Sequence, residues 1–175
     1  MGIVTGAVAA YLVGCVPAAR IVTRLGGRRR WVPWVAPAAD ALKGFAAIAM
    51  FGPVTTIGQA LTVTAVVAGD QWPVFGSEIG RPGLATAGGA MTALTPVAPF
   101  IWAVLWAVGF TATGFLTVAC AIATALFGPA LGWFAGWPLG LIALPSCLML
   151  LERQRAALRR VLRGEEPKHH WRIVS

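Results

Sequence analysis

Pro82-Gly-Leu-Ala-Thr-Ala-Gly-Gly-Ala-Met-Thr-Ala-Leu-Thr-Pro96 opens a run of seventy residues, 82–151, that contains no Asp, Glu, Lys or Arg. A membrane-crossing helix takes about 20 apolar residues, so this run holds several. Residues 44–69 add a second uncharged stretch. In a chain of 175 residues that is 58% hydrophobic and 11% charged, little remains for an aqueous domain. The expected fold class is an all-α integral membrane protein. It comprises one polytopic helical domain over residues 1–151 and a cytoplasmic basic amphipathic tail over residues 152–175.

Punctuation divides the apolar runs. Downstream of the opening stretch, Pro96 and Pro99 end one span, residues 114–117 separate a second from a third, and the Gly136-Trp137-Pro138 group divides the last two. Upstream, residues 3–25, 36–52 and 54–68 read as three further spans. The sum is a seven-span bundle, with a five-span bundle as the alternative because the last two segments are short for a full crossing. Gly128, Gly132, Gly136 and Gly140 recur every four residues, a spacing at which helix backbones approach closely. If the chain turns at Pro138, this ladder packs the bundle internally; on one continuous helix it would instead drive dimerisation.

The net charge of +8 is concentrated in residues 20–30 and 153–172, both flanking apolar segments. That is how the positive-inside rule marks cytoplasmic loops, so the N-terminus is expected outside and the C-terminus in the cytoplasm. Nucleic acid is not an expected partner. The Arg28-Arg29-Arg30 run reads as a topology signal or as a contact for anionic lipid. The tail gathers Leu151, Leu158, Val161 and Leu162 on one side and arginines on the rest, a pattern suited to lying along an anionic membrane surface. The N-terminus lacks the charged start of a signal peptide and reads as a retained span. Cys15, Cys120 and Cys147 sit in apolar surroundings as packing residues, and the adjacent His169 and His170 diverge, so neither a metal nor another cofactor is expected.

The few charges within the apolar region mark candidate functional positions, because ionisable groups there are expensive unless they face water or a partner. Asp40 and Lys43 are three residues apart and so lie on one helix face. Either they pair, or Lys43 offers its ammonium to a phosphate with Asp40 orienting it. The charged island in residues 69–86 carries Asp70, Glu78 and Arg81. Gly76, Gly80 and Gly83 permit tight backbone there, and their N–H groups with Arg81 could hold an anion, although a Gly-Pro loop is also an ordinary turn. Counting crossings places this island, residues 20–30 and the Asp40–Lys43 pair near one membrane face.

Four segments in order resemble the bacterial acyl-phosphate-dependent glycerol-3-phosphate acyltransferases. Tyr11-Leu12-Val13-Gly14-Cys15-Val16-Pro17 is similar to that family's Tyr-Leu-x-Gly-Ser-Ile-Pro. Asp40, Lys43 and Gly44 match its Asp-x-x-Lys-Gly. Residues 69–86 align with Gly-His-x-x-Pro-Val-Phe and the following Lys-Gly-Gly-Lys-Gly-Val-Ala-Thr loop, and residues 160–166 resemble Arg-Leu-x-x-Gly-x-Glu. The resemblance implies a seven-span bacterial inner-membrane enzyme of phospholipid synthesis. It would transfer the acyl group of acyl phosphate to glycerol 3-phosphate and give lysophosphatidic acid. The residues it implies are Asp70 as the group that accepts the hydroxyl proton, and Asp40, Lys43, Gly80, Arg81, Gly83, Thr86, Arg160 and Glu166 in phosphate or substrate binding.

This chain is a divergent member of that pattern. The family's Ser-Gly-Asn-x-Gly-Ala-Thr-Asn loop is replaced by an arginine and tryptophan stretch. The island's histidine is Asp70, its two lysines are Ile79 and Pro82, and one glycine is Arg81. In the tail, the histidine and asparagine positions hold Gln154 and Ala157. Two functions follow as expectations. One is an acyltransferase acting on these substrates among membrane lipids. The other is a catalytically inactive relative that binds lipid as a scaffold or serves as the subunit of a membrane-protein partner.

Overall fold

The computed structural model describes residues 2–26, 32–74 and 83–164. Over these residues the chain forms eight α-helices and no strand: α1 Ile3–Gly14, α2 Ala18–Gly26, α3 Val32–Phe51, α4 Thr56–Gln71, α5 Leu84–Leu94, α6 Ala98–Thr113, α7 Leu116–Ala135 and α8 Trp137–Leu162. Their boundaries follow local chemistry. Thr55 caps α4 by accepting from the Gly58 N–H at 3.3 Å. Gly114 ends α6 at φ 71° and Gly136 ends α7 at φ 109°, backbone that side-chain-bearing residues rarely adopt.

The first expected span is not one helix. α1 stops at Gly14, and α2 begins after Pro17. Proline has no N–H to continue the ladder, and it drives the residue before it away from helical backbone. The short α2 packs along α3. At the other end, α8 runs unbroken from Trp137 to Leu162, so the start of the basic tail continues the last apolar helix.

α3 and α7 are long and apolar enough to cross a membrane, whereas α1, α5 and α6 are shorter apolar helices. The 11 residues of α5 span about 16 Å, roughly half a hydrocarbon core. The outer surface is itself apolar: Phe100 is 70% and Trp133 78% exposed, as a bilayer-facing surface requires.

The helices pack chiefly as the pairs α1 with α4, α3 with α5, α6 with α7 and α7 with α8. Small residues permit these approaches. A Cβ on Gly69 would collide with the Tyr11 carbonyl oxygen, and one on Gly89 would collide with the Ala41 backbone. In the α7–α8 pair a Cβ on Gly140 would lie 2.8 Å from the Gly128 carbonyl oxygen and from the Gly132 Cα. The ladder of four glycines is therefore folded at Gly136 and packs the two helices against each other.

Candidate functional site

The break after α1 leaves backbone carbonyls without helical partners, as any helix end does. The Lys43 ammonium of α3 fills this gap, donating to the carbonyl oxygens of Gly14 and Val16 at 3.1 Å each. Its third hydrogen bond goes to Asp70 Oδ1 at the end of α4. An ammonium has three donors, so all three are used within the protein. Asp40 Oδ1 lies 3.7 Å from the same nitrogen, one helical turn away on α3. The Asp40–Lys43 pairing is thus present, but the tighter partner is Asp70. Lys43 and Asp40 are both buried.

Asp70 is carried to this place by the α1–α4 crossing, where Gly14 and Gly69 meet without side chains between them. Burying Asp40 and Lys43 against half-buried Asp70 is tolerable only because the three charges pair and accept or donate hydrogen bonds. Asp70 Oδ2 faces the start of α5, 3.5 Å from where a Cβ on Gly83 would sit. Gly83 takes φ 73° and supplies no side-chain cap, so the N–H groups of the first turn of α5 have no cap from its own N-cap residue. Such a helix N-terminus is a ready anion site. Thr86, in that first turn, is fully buried, and its Oγ1 has no hydrogen-bond partner among the described residues.

The far side of the site is built by α8. Arg153 donates from Nη2 to the Gln71 carbonyl oxygen at 2.9 Å, and its guanidinium stacks over the Trp72 ring at 5.4 Å. Tyr11 Oη donates to the Trp72 carbonyl oxygen at 2.8 Å. Tyr11 and Arg153 therefore satisfy carbonyls at the C-terminal end of α4, the element that carries Asp70. Beside Arg153, Gln154 is buried and donates from Nε2 to Thr124 Oγ1 at 3.4 Å, while its Oε1 lacks a partner among the described residues.

Asp40, Lys43, Asp70, Gly83 and Thr86 are thus gathered around the ends of α1, α4 and α5. Arg160 is exposed on α8, two turns or about 10 Å beyond Arg153. Gly80, Arg81 and Glu166 lie outside the described residues. Arg153 and Gln71 are the participants that the sequence reading missed. The available signal was Arg153's position as the first basic residue after the long uncharged run. Among the described residues no three His, Cys, Asp or Glu side chains are grouped to hold a metal ion.

A hollow of about 250 Å³ begins at Leu84 and Ala85, next to this site, and follows α5 to Met91 and Trp102. Its wall is apolar apart from Thr124, Ser146 and Cys147. The two hydroxyls donate to the carbonyls of Cys120 and Ala143.

Residues 29–164 match the family described as glycerol-3-phosphate acyltransferase. A glycerol-3-phosphate acyltransferase of Neisseria meningitidis serogroup C is 32% identical over 142 residues, covering 74% of this chain and 68% of the relative. One from Burkholderia pseudomallei is 29% identical over 197 residues, covering 96% of each chain. The fold is similar to crystal structures of PlsY, an integral membrane glycerol 3-phosphate acyltransferase. In its lysophosphatidic acid form the TM-score is 0.81 at 24% identity, with 96% of this chain and 95% of that chain covered. In its glycerol 3-phosphate form the TM-score is 0.79 at 23% identity, with 96% of both covered.

Proposed function

Because this chain belongs to the glycerol-3-phosphate acyltransferase family, we propose that it moves the acyl group of an acyl phosphate onto a hydroxyl of glycerol 3-phosphate. The hydroxyl oxygen attacks the acyl carbonyl carbon, the bond from that carbon to the phosphate oxygen breaks, and inorganic phosphate leaves. Lysophosphatidic acid is the product. The observation that carries this reading is the meeting of three features at the start of α5. An uncapped helix N-terminus can hold a phosphate, Asp70 Oδ2 stands beside it, and an apolar hollow leads away from it.

In this reading the Asp70 oxygen not bonded to Lys43 takes the hydroxyl proton. The amides of Leu84, Ala85 and Thr86, with the Thr86 hydroxyl, hold a substrate phosphate. Gly80 and Arg81 complete that anion site, and Arg160 and Glu166 bind from the tail. Lys43 and Asp40 hold Asp70 in place, because the Lys43 donors are already used. Most of the acceleration then comes from positioning and from fixed charges and dipoles. The chain crosses a bacterial inner membrane seven times, N-terminus outside, with residues 152–175 on the cytoplasmic side.

The test is turnover. Purified protein given acyl phosphate and glycerol 3-phosphate should release inorganic phosphate, and Asp70→Asn should slow that release by about 10²- to 10⁴-fold. A second reading is an inactive relative that binds lipid or a membrane-protein partner. The engagement of all three Lys43 donors inside the protein favours it. No phosphate release from folded protein, together with stable co-purification of a membrane protein, would establish the second reading over the first.

A further inference from the structure

α5 contains two adjacent glycines that behave differently. Gly89 is buried and has a packing reason, since a Cβ there would strike the Ala41 backbone of α3. Gly88 has none: a Cβ built on it meets nothing within 4 Å, and the residue is exposed. Glycine is the least favourable helix-interior residue apart from proline, so a packing-free glycine inside a short helix calls for another explanation.

The surroundings supply one. The partly enclosed hollow of about 250 Å³ is not the only one that touches Gly88. A more open groove of about 610 Å³ lies between α3 and α5, with exposed Leu42 and Phe45 on its rim. Hollow and groove lie on adjoining faces of α5 and share Ala85, Gly88 and Pro99. At 100° per residue, positions 85 and 88 fall on the edge between those two faces. Gly88 is therefore the point where the two spaces are separated by the least side chain.

We infer that Gly88 is a lateral doorway through which a single hydrocarbon chain of a lipid passes from the open groove into the more enclosed hollow. The occupant is apolar, because the hollow's wall is apolar and its two hydroxyls already donate to backbone carbonyls. It is a single chain, because the junction is framed by Ala85, Pro99 and a residue with no side chain. Its polar head rests at the start of α5, where the hollow begins. The inference rests on the acyltransferase reading for the identity of that lipid, and makes Gly88 a residue that sets which acyl chains the protein accepts.

The series Gly88→Ala, Gly88→Leu and Gly88→Phe fills the junction in steps, into space that the fold leaves open. With long-chain and short-chain acyl phosphates as paired substrates, the ratio of their kcat/KM values should fall along the series, by about tenfold or more at Phe. A second readout needs no turnover. A lysophospholipid with a diazirine at the end of its chain should cross-link to Met91 and Trp102 in the native protein. In Gly88→Phe it should cross-link only near Leu42 and Phe45. If the native protein turns over but the ratio stays constant through Phe and the inner cross-links persist, the doorway is refuted while the acyltransferase reading stands. If the native protein gives no turnover yet shows inner cross-links that Phe abolishes, the doorway stands and the enzymatic reading falls.

Discussion

The α1–α4 and α7–α8 pairs use the same device, facing glycines that let two helix backbones touch, yet only the first builds a charged centre. In the α1–α4 pair, Gly14 is also the last residue of its helix, so the crossing ends in carbonyls without helical partners inside the protein. Those carbonyls attract Lys43, and Lys43 in turn fixes Asp70. In the α7–α8 pair, Gly128, Gly132 and Gly140 lie within their helices, and the chain turns at Gly136 in the middle of a stretch whose sequence, residues 82–151, holds no Asp, Glu, Lys or Arg. Close packing alone does not make a site; a helix end buried at the point of contact does.

Lys43→Ala tests this contrast hardest. It removes the cation beside buried Asp40 and half-buried Asp70 and takes a donor from the Gly14 and Val16 carbonyls, so folding stability in detergent should drop by about 3–5 kcal/mol, visible as a collapse of Tm. Adding Asp40→Asn and Asp70→Asn to Lys43→Met should recover part of that loss while leaving turnover absent; no recovery would mean that charge pairing is not what holds the break. Gly69→Ala comes next. Its Cβ must push against the Tyr11 carbonyl and the Gly14 Cα, costing about 1–3 kcal/mol and lowering turnover at least tenfold through displacement of Asp70.

Gly140→Ala should lower Tm by a similar or smaller amount, since its new Cβ lies 2.8 Å from the Gly128 carbonyl oxygen, but it should leave kcat/KM within about threefold. Equal losses of turnover in Gly69→Ala and Gly140→Ala would erase the distinction between the two crossings. The smallest effect belongs to Gly132→Ala. Its nearest neighbour is the edge of the Trp137 ring at 3.3 Å, and that largely exposed side chain can yield, so the change in stability should stay below about 1 kcal/mol.

Much of the architecture was readable from residue order. Pro96, Gly114 and Gly136 mark helix ends because they change what the backbone can do locally, and the structure places boundaries at or beside each of them. The folding of the glycine ladder at Gly136 was among the stated alternatives for the same reason. The break at residues 15–17 was not anticipated. An apolar segment with one proline reads equally well as a single kinked helix, and what stabilises the interruption is an ammonium from α3.

The candidate site divides along the same line. Asp40 with Lys43 was visible because helical spacing alone brings residues i and i+3 together. Asp70, Gly83 and Thr86 were singled out by motif position, but the contact of Asp70 with Lys43 spans 27 residues and no local periodicity encodes it. Arg153 reaches Gln71 across 82 residues, and its role in supporting α4 had been hidden behind its value as a topology signal.

Composition and spacing settled that this chain is helical, apolar on its outside and turned at its glycines and prolines, because those properties arise from each residue and its near neighbours. Which carboxylate meets Lys43, which helix end lies bare beside it and which of two neighbouring glycines stands open were left to the packed bundle. Each depends on how closely two distant backbones approach, and that distance is set by all the side chains between them at once.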